Sequence, residues 1–298
     1  MISPEGPIAL VLAALGLQSS QPLVLEPVLP RSRNPVWRCS LRSTPGHSYL
    51  KLQGGPFPSE TVREEAEVLA LLAGRLSHVP TVLATGTCPE TSLPYLLTQA
   101  LPGYPVTARL EVACEPLFDE LIGWLDSLQR VAGLRELLSH RLPRLVDRYR
   151  PDFDPLTSAL ERSANLAGDP GQEAAREYHS LLSELAQSRP ARPTPEVVHG
   201  SLAPANILRD GHHLTGVLDF EGTRLGSAMY DVASLAADLL DTHGLTVGRA
   251  WFQQCGEHYG AERIQFEARP FLLDMLMLRA RGMDGSSDAP LPRLACLT

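Results

Sequence analysis

His199–Phe220 reads HGSLAPANILRDGHHLTGVLDF, and the rest of the chain is best understood outward from it. Leu214, Val217 and Leu218 lead into Asp219 along a strand-like run that follows a turn at Gly211. A carboxylate at the end of an apolar strand is costly unless a metal or a hydrogen-bond donor meets it. Asn206 offers a second oxygen upstream. Magnesium takes one or two protein oxygens and completes its shell with phosphate oxygens and water, so an Asn/Asp pair suits it better than a dense acidic cage. Taken singly, Asn206 would cap a turn and Asp219 would start a helix, both ordinary roles. The ordered set is more specific: His199, Asn206 and Asp219, then Tyr230-Asp231 opening an amphipathic run.

Upstream, residues 23–53 alternate short apolar runs with turn signals: LVLEPVL, the segment Pro30–Pro35, VWRCSL, the Thr44-Pro45-Gly46 corner, then SYLKL. The pattern predicts three antiparallel strands with Lys51 near the end of the third. From Ser59 the period becomes helical, with apolar residues at Val62, Ala66, Leu69 and Leu72. Val79–Gly86 and Tyr95–Gln99 predict two further strands, and the second runs into Leu101-Pro102-Gly103. That break divides the chain into residues 1–101, a small sheet-bearing lobe, and residues 102–298, mainly helical. Helical runs are expected within 107–150, across 155–187 around a Gly168–Gly171 turn, after Tyr230, and from Gly248 to Gly282. The last dozen residues read as a frayed tail. The fold class is α+β.

Composition narrows the function. The 298 residues carry a formal charge of −8, with 44% hydrophobic and 20% charged residues, as in ordinary globular proteins. The acidic balance argues against a nucleic-acid surface and mildly favours a neutral or cationic small partner. Five scattered cysteines form neither a CxxC pair nor a disulfide framework, so they read as reduced thiols in a cytoplasmic protein. The apolar run Pro7–Leu17 follows Glu5 and is too short for a membrane span, so an N-terminal helix is expected. Nothing in the pattern sets an oligomeric state.

Lys51 is the only lysine in the chain; the other basic residues are all arginine. A position that stays lysine against that bias can need a compact ammonium on a flexible stem, although chance gives the same result. An ammonium on the third strand and an acid on the following helix would form a phosphate-holding pair. Glu65 is the choice for the acid, with Glu64 and Glu67 one slip away. Taken alone, a Lys/Glu pair of this kind is usually a solvated surface pair.

The strip HGSLAPANIL with VLDFEG resembles the His-Gly-Asp-x-x-x-x-Asn and Asp-Phe/Trp motifs of the aminoglycoside phosphotransferase and choline kinase-like family. The resemblance extends through NPVWRCSL, SYLKL, EAEVLALL, YLLTQALPG and LGSAMYDVASL, nearly the whole chain. It implies a protein kinase-like two-lobe fold with a small antiparallel nucleotide lobe. It also implies ATP- and Mg²⁺-dependent phosphoryl transfer to a small-molecule hydroxyl. By that likeness Lys51 and Glu65 would hold the phosphates, and Gln99–Leu101 would meet the nucleotide base through backbone groups. Asn206 and Asp219 would bind Mg²⁺, and His199 would buttress the loop. Acidic helix faces at Glu115, Asp119, Asp238 and Asp241 are loose candidates for contacting the substrate; each is more ordinarily a solvated face.

Three positions depart from the family pattern. Ser201 stands where the catalytic aspartate is expected, the Pro30–Pro35 turn has no glycine, and Ser227 replaces a frequent acid. Loss of a general base typically costs about 10²–10⁴ in rate. The resemblance therefore implies an impaired kinase, or else a catalytically silent binding protein of the pseudokinase kind. Glu221 is a weak candidate for a substitute base.

Overall fold

The computed structural model describes residues 26–28, 34–40, 46–54, 61–88, 92–106, 114–141, 172–187 and 195–280. The expected N-terminal helix at Pro7–Leu17, most of the first hairpin turn, the Gly168–Gly171 turn and the C-terminal tail lie outside these residues. The chain divides into two compact units, Met1–Gly103 with Thr215–Glu221, and Tyr104–Leu214 with Gly222–Thr298. The strip that opened the sequence analysis is thus shared: Asp219 belongs to the first unit, His199, Ser201 and Asn206 to the second.

Among the described residues, the first unit is a five-stranded antiparallel sheet with one α-helix. Its strands are β1 (Glu26–Pro27), β2 (Val36–Ser40), β3 (His47–Leu52), β4 (Val82–Thr87) and β5 (Pro94–Gln99), in the order β1-β2-β3-β5-β4. On β3 the period-2 alternation turns Ser48, Leu50 and Leu52 inward. Leu50 and Leu52 join Trp37, Cys39, Cys88, Tyr95 and Leu97 in one apolar cluster. Lys51 consequently faces the other way, on a central strand flanked by Val36 and Leu96. Helix α1 (Thr61–Leu72) packs on β4 and β5. Its buried face carries Val62, Glu65, Ala66, Leu69 and Leu72, the i, i+3, i+4 stripe of an amphipathic helix. Glu65 sits in the middle of that stripe, where an ionisable side chain stands out.

The second unit is mostly helical. Its helices include α2 (Glu115–Gln129), α3 (Leu134–Ser139), α4 (Gln172–Gln187), α5 (Met229–His243) and α6 (Leu245–Tyr259). A turn at Ala261–Arg263 and a π-helical turn at Ile264–Ala268 lead into α7 (Arg269–Ala280). Short strands carry the strip. β7 (Glu196–Val198) pairs antiparallel with β10 (Arg224–Gly226). β6 (Tyr104–Pro105), β8 (Ile207–Asp210) and β9 (His213–Val217) form a three-stranded sheet, with β9 carrying the chain into the first unit at Thr215. Gln129, the last residue of α2, treats β7 as a strand would: its side-chain amide donates to Val197 O (2.6 Å) and accepts from Val197 N–H (2.8 Å). The α5–α6 pair is sealed by Trp251, fully buried, whose indole N–H donates to Val232 O at 2.9 Å.

Candidate active site

In the first unit, Lys51 is enclosed by carboxylates. Its Nζ donates to Glu65 Oε2 (2.7 Å), Glu221 Oε1 (2.8 Å) and Asp219 Oδ1 (3.0 Å). Burial alone would lower the lysine pKa, but the three surrounding carboxylates outweigh it and hold the ammonium above its ordinary range. Glu65 is pushed up by burial, with Asp219 and Glu221 adding to the rise and Lys51 opposing it. Its second oxygen accepts the Phe220 N–H at 3.1 Å, so helix α1 is tied to both the sheet and the end of the strip. Asp219 adopts φ +67°, a left-handed conformation that aspartate tolerates better than most residues. Its side chain is 35% exposed, against 5% for Glu65 and 18% for Glu221. Asp219 is therefore the carboxylate most open to a bound group.

Candidate ligand atoms of Glu65, Asp219 and Glu221 lie within 4.8 Å of one another. Three carboxylates around one ammonium leave an excess of negative charge, and Lys51 occupies one oxygen of each. Hard divalent cations are bound by such oxygens.

Asn34 was read in the sequence merely as part of a turn. It is 4% exposed, and its amide nitrogen donates to Glu221 Oε1 (2.8 Å) and Thr61 Oγ1 (2.9 Å) while its oxygen accepts from Gly54 N–H (3.0 Å). It thereby joins the start of β2, the start of α1 and the end of the strip. Glu221 emerges as an ion-pair partner of Lys51. In the expected base-binding segment, Gln99 N–H is committed to Thr81 O and Ala100 N–H to His47 O. Leu101 lies past these bonds.

In the second unit, Asp231 organises the strip. It is 1% exposed; its two oxygens accept His199 N–H (2.7 Å) and Gly200 N–H (2.9 Å). Burial pushes its carboxyl up to about 6, against the pull of those two N–H groups and of Arg224. His199 is fully buried, edge-on to Trp124 at 6.0 Å between ring centres. Its Nδ1 faces the Ser201 N–H at 3.3 Å, and its carbonyl accepts from Thr223. These contacts tie the His199 ring and backbone to the loop that carries Ser201 and to Thr223. Gly200 has φ +83°, and a Cβ there would fall 2.1 Å from Gly222 O, so the close passage of the two loops depends on glycine. Arg224 donates to the same Gly222 carbonyl at 2.9 Å and stacks over Tyr230 at 4.6 Å. Asn206 donates its amide to Ser201 O at 2.8 Å, which leaves its side-chain oxygen as the atom to offer a cation. Ser227 accepts the Met229 N–H and donates to Glu267 Oε2 at 2.6 Å, so a carboxylate is supplied there from the π-helical turn.

Asn34 carries no local sequence signal, and the order of motifs singles out Asp231 without naming its partners, which lie far along the chain. Among the looser substrate candidates, Asp119 pairs with Gln254.

The model of the phosphotransferase enzyme family matches residues 26–266. The chain belongs to that family. It is 30% identical over 245 residues to an aminoglycoside 3'-phosphotransferase of Streptomyces ribosidificus, spanning 78% of this chain and 82% of that protein. It is 35% identical over 227 residues to another from Streptomyces fradiae, spanning 70% and 77%. Among solved structures it resembles the GDP complex of wild-type aminoglycoside 2'-phosphotransferase-IIIa, with TM-score 0.65, 16% identity and 93% and 91% of the two chains covered. A thermostable mutant of aminoglycoside phosphotransferase APH(4)-Ia in ternary complex with ADP and hygromycin B gives TM-score 0.63 at 13% identity, covering 93% and 92%. These likenesses establish the α+β, protein kinase-like fold expected from the strip.

Proposed function

We propose that this phosphotransferase family member binds ATP or another nucleoside triphosphate with Mg²⁺ and transfers the terminal phosphoryl group to a hydroxyl of a small molecule. We further propose that Ser201 makes the transfer slow. The observation that carries the reading is the Lys51–Glu65–Asp219–Glu221 cluster, whose donor set fits a phosphate held together with a divalent cation. Glu65 aims the Lys51 ammonium, and that ammonium is the group to meet phosphate oxygens. Asp219 and Asn206 are the oxygens that fit Mg²⁺, which when bound neutralises charge on the phosphates. Gln99–Leu101 is the segment for the nucleotide base. Asp231, Gly200 and His199 fix the backbone that presents Ser201.

Ser201 cannot accept the acceptor's proton at neutral pH, so proton removal falls to water. Phosphoryl transfer relies chiefly on positioning and charge stabilisation, which supports slow transfer over none. Glu221 does not suit the role of substitute base, because Lys51 and Asn34 already hold its carboxylate. A cationic hydroxyl compound as acceptor is supported by the likeness to two aminoglycoside 3'-phosphotransferases and by the acidic balance of the chain.

Ser201→Asp tests the transfer step. Against a panel of aminoglycosides, choline-like amines, sugars and amino alcohols, the native chain should turn over slowly and the variant about 10²–10⁴ faster. A variant slower than the native chain would assign Ser201 to another mechanism. Calorimetry supplies the second arm: Mg²⁺-dependent ATP binding should be lost in Lys51→Ala and Asp219→Ala. Binding without transfer in either Ser201 form would mark a nucleotide-binding protein of the pseudokinase kind.

A further inference from the structure

An α-helix leaves its first N–H groups without partners inside the helix, and the N-cap of α5 is Ala228, which makes no side-chain cap. The acceptors come from elsewhere in the fold. Glu196, at the start of β7, takes the Ala228 N–H on Oε2 at 3.2 Å, and Ser227 Oγ takes the Met229 N–H at 3.3 Å. The strand register sets Glu196 opposite Gly226, next to the point where the chain leaves β10 for α5. A carboxylate there also suits the positive end of the helix.

Arg263 holds this arrangement. Its Nη2 donates to Glu196 Oε2 at 2.6 Å, its Nε to Glu267 Oε1 at 3.2 Å, and Nη2 again to Glu267 Oε2 at 3.4 Å. Glu267 Oε2 in turn accepts the Ser227 hydroxyl at 2.6 Å. One guanidinium thereby joins β7, the start of α5 and the π-helical turn, a geometry that recurs at functional sites. The three side chains are partly withdrawn from water: Arg263 is 31% exposed, Glu196 21% and Glu267 14%. A planar fork fixes two carboxylates at once in a way that a lysine cannot copy. Ser227 stands where the family often carries an acid; Glu267 brings a carboxylate to it, and Arg263 aims that carboxylate.

The first turn of α5 matters because of what it carries. Asp231 accepts the N–H groups of His199 and Gly200, and Ser201 is the next residue. A shift at the start of α5 is passed to the backbone that presents Ser201. We propose that Arg263 is the positioning residue of this loop: by holding Glu196 and Glu267 it seats the first turn of α5, and through Asp231 it fixes where Ser201 stands during transfer. The effect on transfer rests on the phosphotransferase reading; the seating of the loop does not.

The native full chain and Arg263→Leu are compared by two readouts. Hydrogen–deuterium exchange reports the loop: the amides of His199 and Gly200 should exchange at least about tenfold faster in the variant, while those of α6 around Trp251 stay within about twofold. Kinetics with Mg²⁺–ATP and kanamycin report the consequence: kcat should fall at least about tenfold, with both KM values within about twofold. Unchanged exchange at His199 and Gly200 in folded Arg263→Leu overturns the proposal. Equal acceleration around Trp251 also overturns it, because that marks a general loss of stability. A loss carried wholly by KM overturns the role in transfer. Absence of kanamycin phosphorylation by both the native chain and Ser201→Asp would count against the phosphotransferase reading alone, and exchange would still decide the seating. Should Arg263→Leu fail to fold, Arg263→Lys decides: its single ammonium cannot hold both carboxylates, and exchange and kcat should move in the same directions by at least about threefold.

Discussion

Lys51 balances three carboxylates within hydrogen-bond reach, so its removal has a consequence beyond lost phosphate contact. Lys51→Ala leaves Glu65, Asp219 and Glu221 facing one another without their cation. Breaking such a set by deleting one partner typically costs about 3–5 kcal/mol. The cost depends on pH in a definite direction. Lys51 is what pulls the Glu65 pKa down, while burial, Asp219 and Glu221 push it up. Without the lysine the Glu65 carboxyl sits further above its unfolded value, so stability falls as pH rises through that window. Urea unfolding should therefore find Lys51→Ala most destabilised near pH 8 and closer to the native chain near pH 5. A deficit that grows towards acid would contradict the cluster. Gly200 makes a second prediction at this scale. Gly200→Ala meets both a left-handed backbone and the Gly222 carbonyl, and should lose at least about 2 kcal/mol.

Helix α5 begins with the device that shapes the strip: Asp231, in its first turn, accepts the N–H groups of His199 and Gly200. An aspartate there also suits the positive end of the helix dipole. Its carboxyl is raised from an ordinary 3.8 to about 6, chiefly by burial. An acid with a raised folded-state pKa binds its proton more tightly in the folded chain, so this group's contribution to stability declines as pH rises from about 4 to about 6 and is level above. Asp231→Asn cannot ionise and should remove that slope. Its single oxygen cannot replace two acceptors, so the variant should also be less stable by about 1–3 kcal/mol at pH 7. Thermal melts from pH 4 to 8 check both parts, and an unchanged pH slope would exclude Asp231 as its source. The periodicity of α1 was legible in sequence, and it already favours Glu65 over Glu64 and Glu67: Glu65 falls on the Val62–Ala66–Leu69 stripe, while Glu67 is exposed. The bonds of Asn34 and Asp231 were not legible, because their partners Glu221 and His199 lie 187 and 32 residues away.

On the scale of the whole chain, the proposed nucleotide site makes a thermodynamic prediction. A ligand that binds the folded state alone at about 100 times its Kd adds about 2.7 kcal/mol of stability. ATP with Mg²⁺ should then raise the melting midpoint by several degrees, since about 1 kcal/mol corresponds to roughly 2–4 °C in chains of 150–250 residues. Differential scanning fluorimetry of the native chain and of Asp219→Ala checks this. Equal shifts in both, or none in either, would count against the assignment. Among the described residues no helix is long and apolar enough to cross a membrane.

The sequence by itself determined the element types of the sheet and helices, because alternation and 3.6-residue periodicity are local properties. It also supplied the groups of the proposed reaction, since His199, Ser201, Asn206 and Asp219 lie on one short strip and Lys51 is the only lysine. Tertiary structure decided what surrounds each of them. It set Glu221 on Lys51, brought Asn34 to Glu221, and placed Asp231 under the His199–Gly200 backbone. Those partnerships depend on how buried charges and backbone groups find donors and acceptors far along the chain, and the folded packing alone fixes which ones meet.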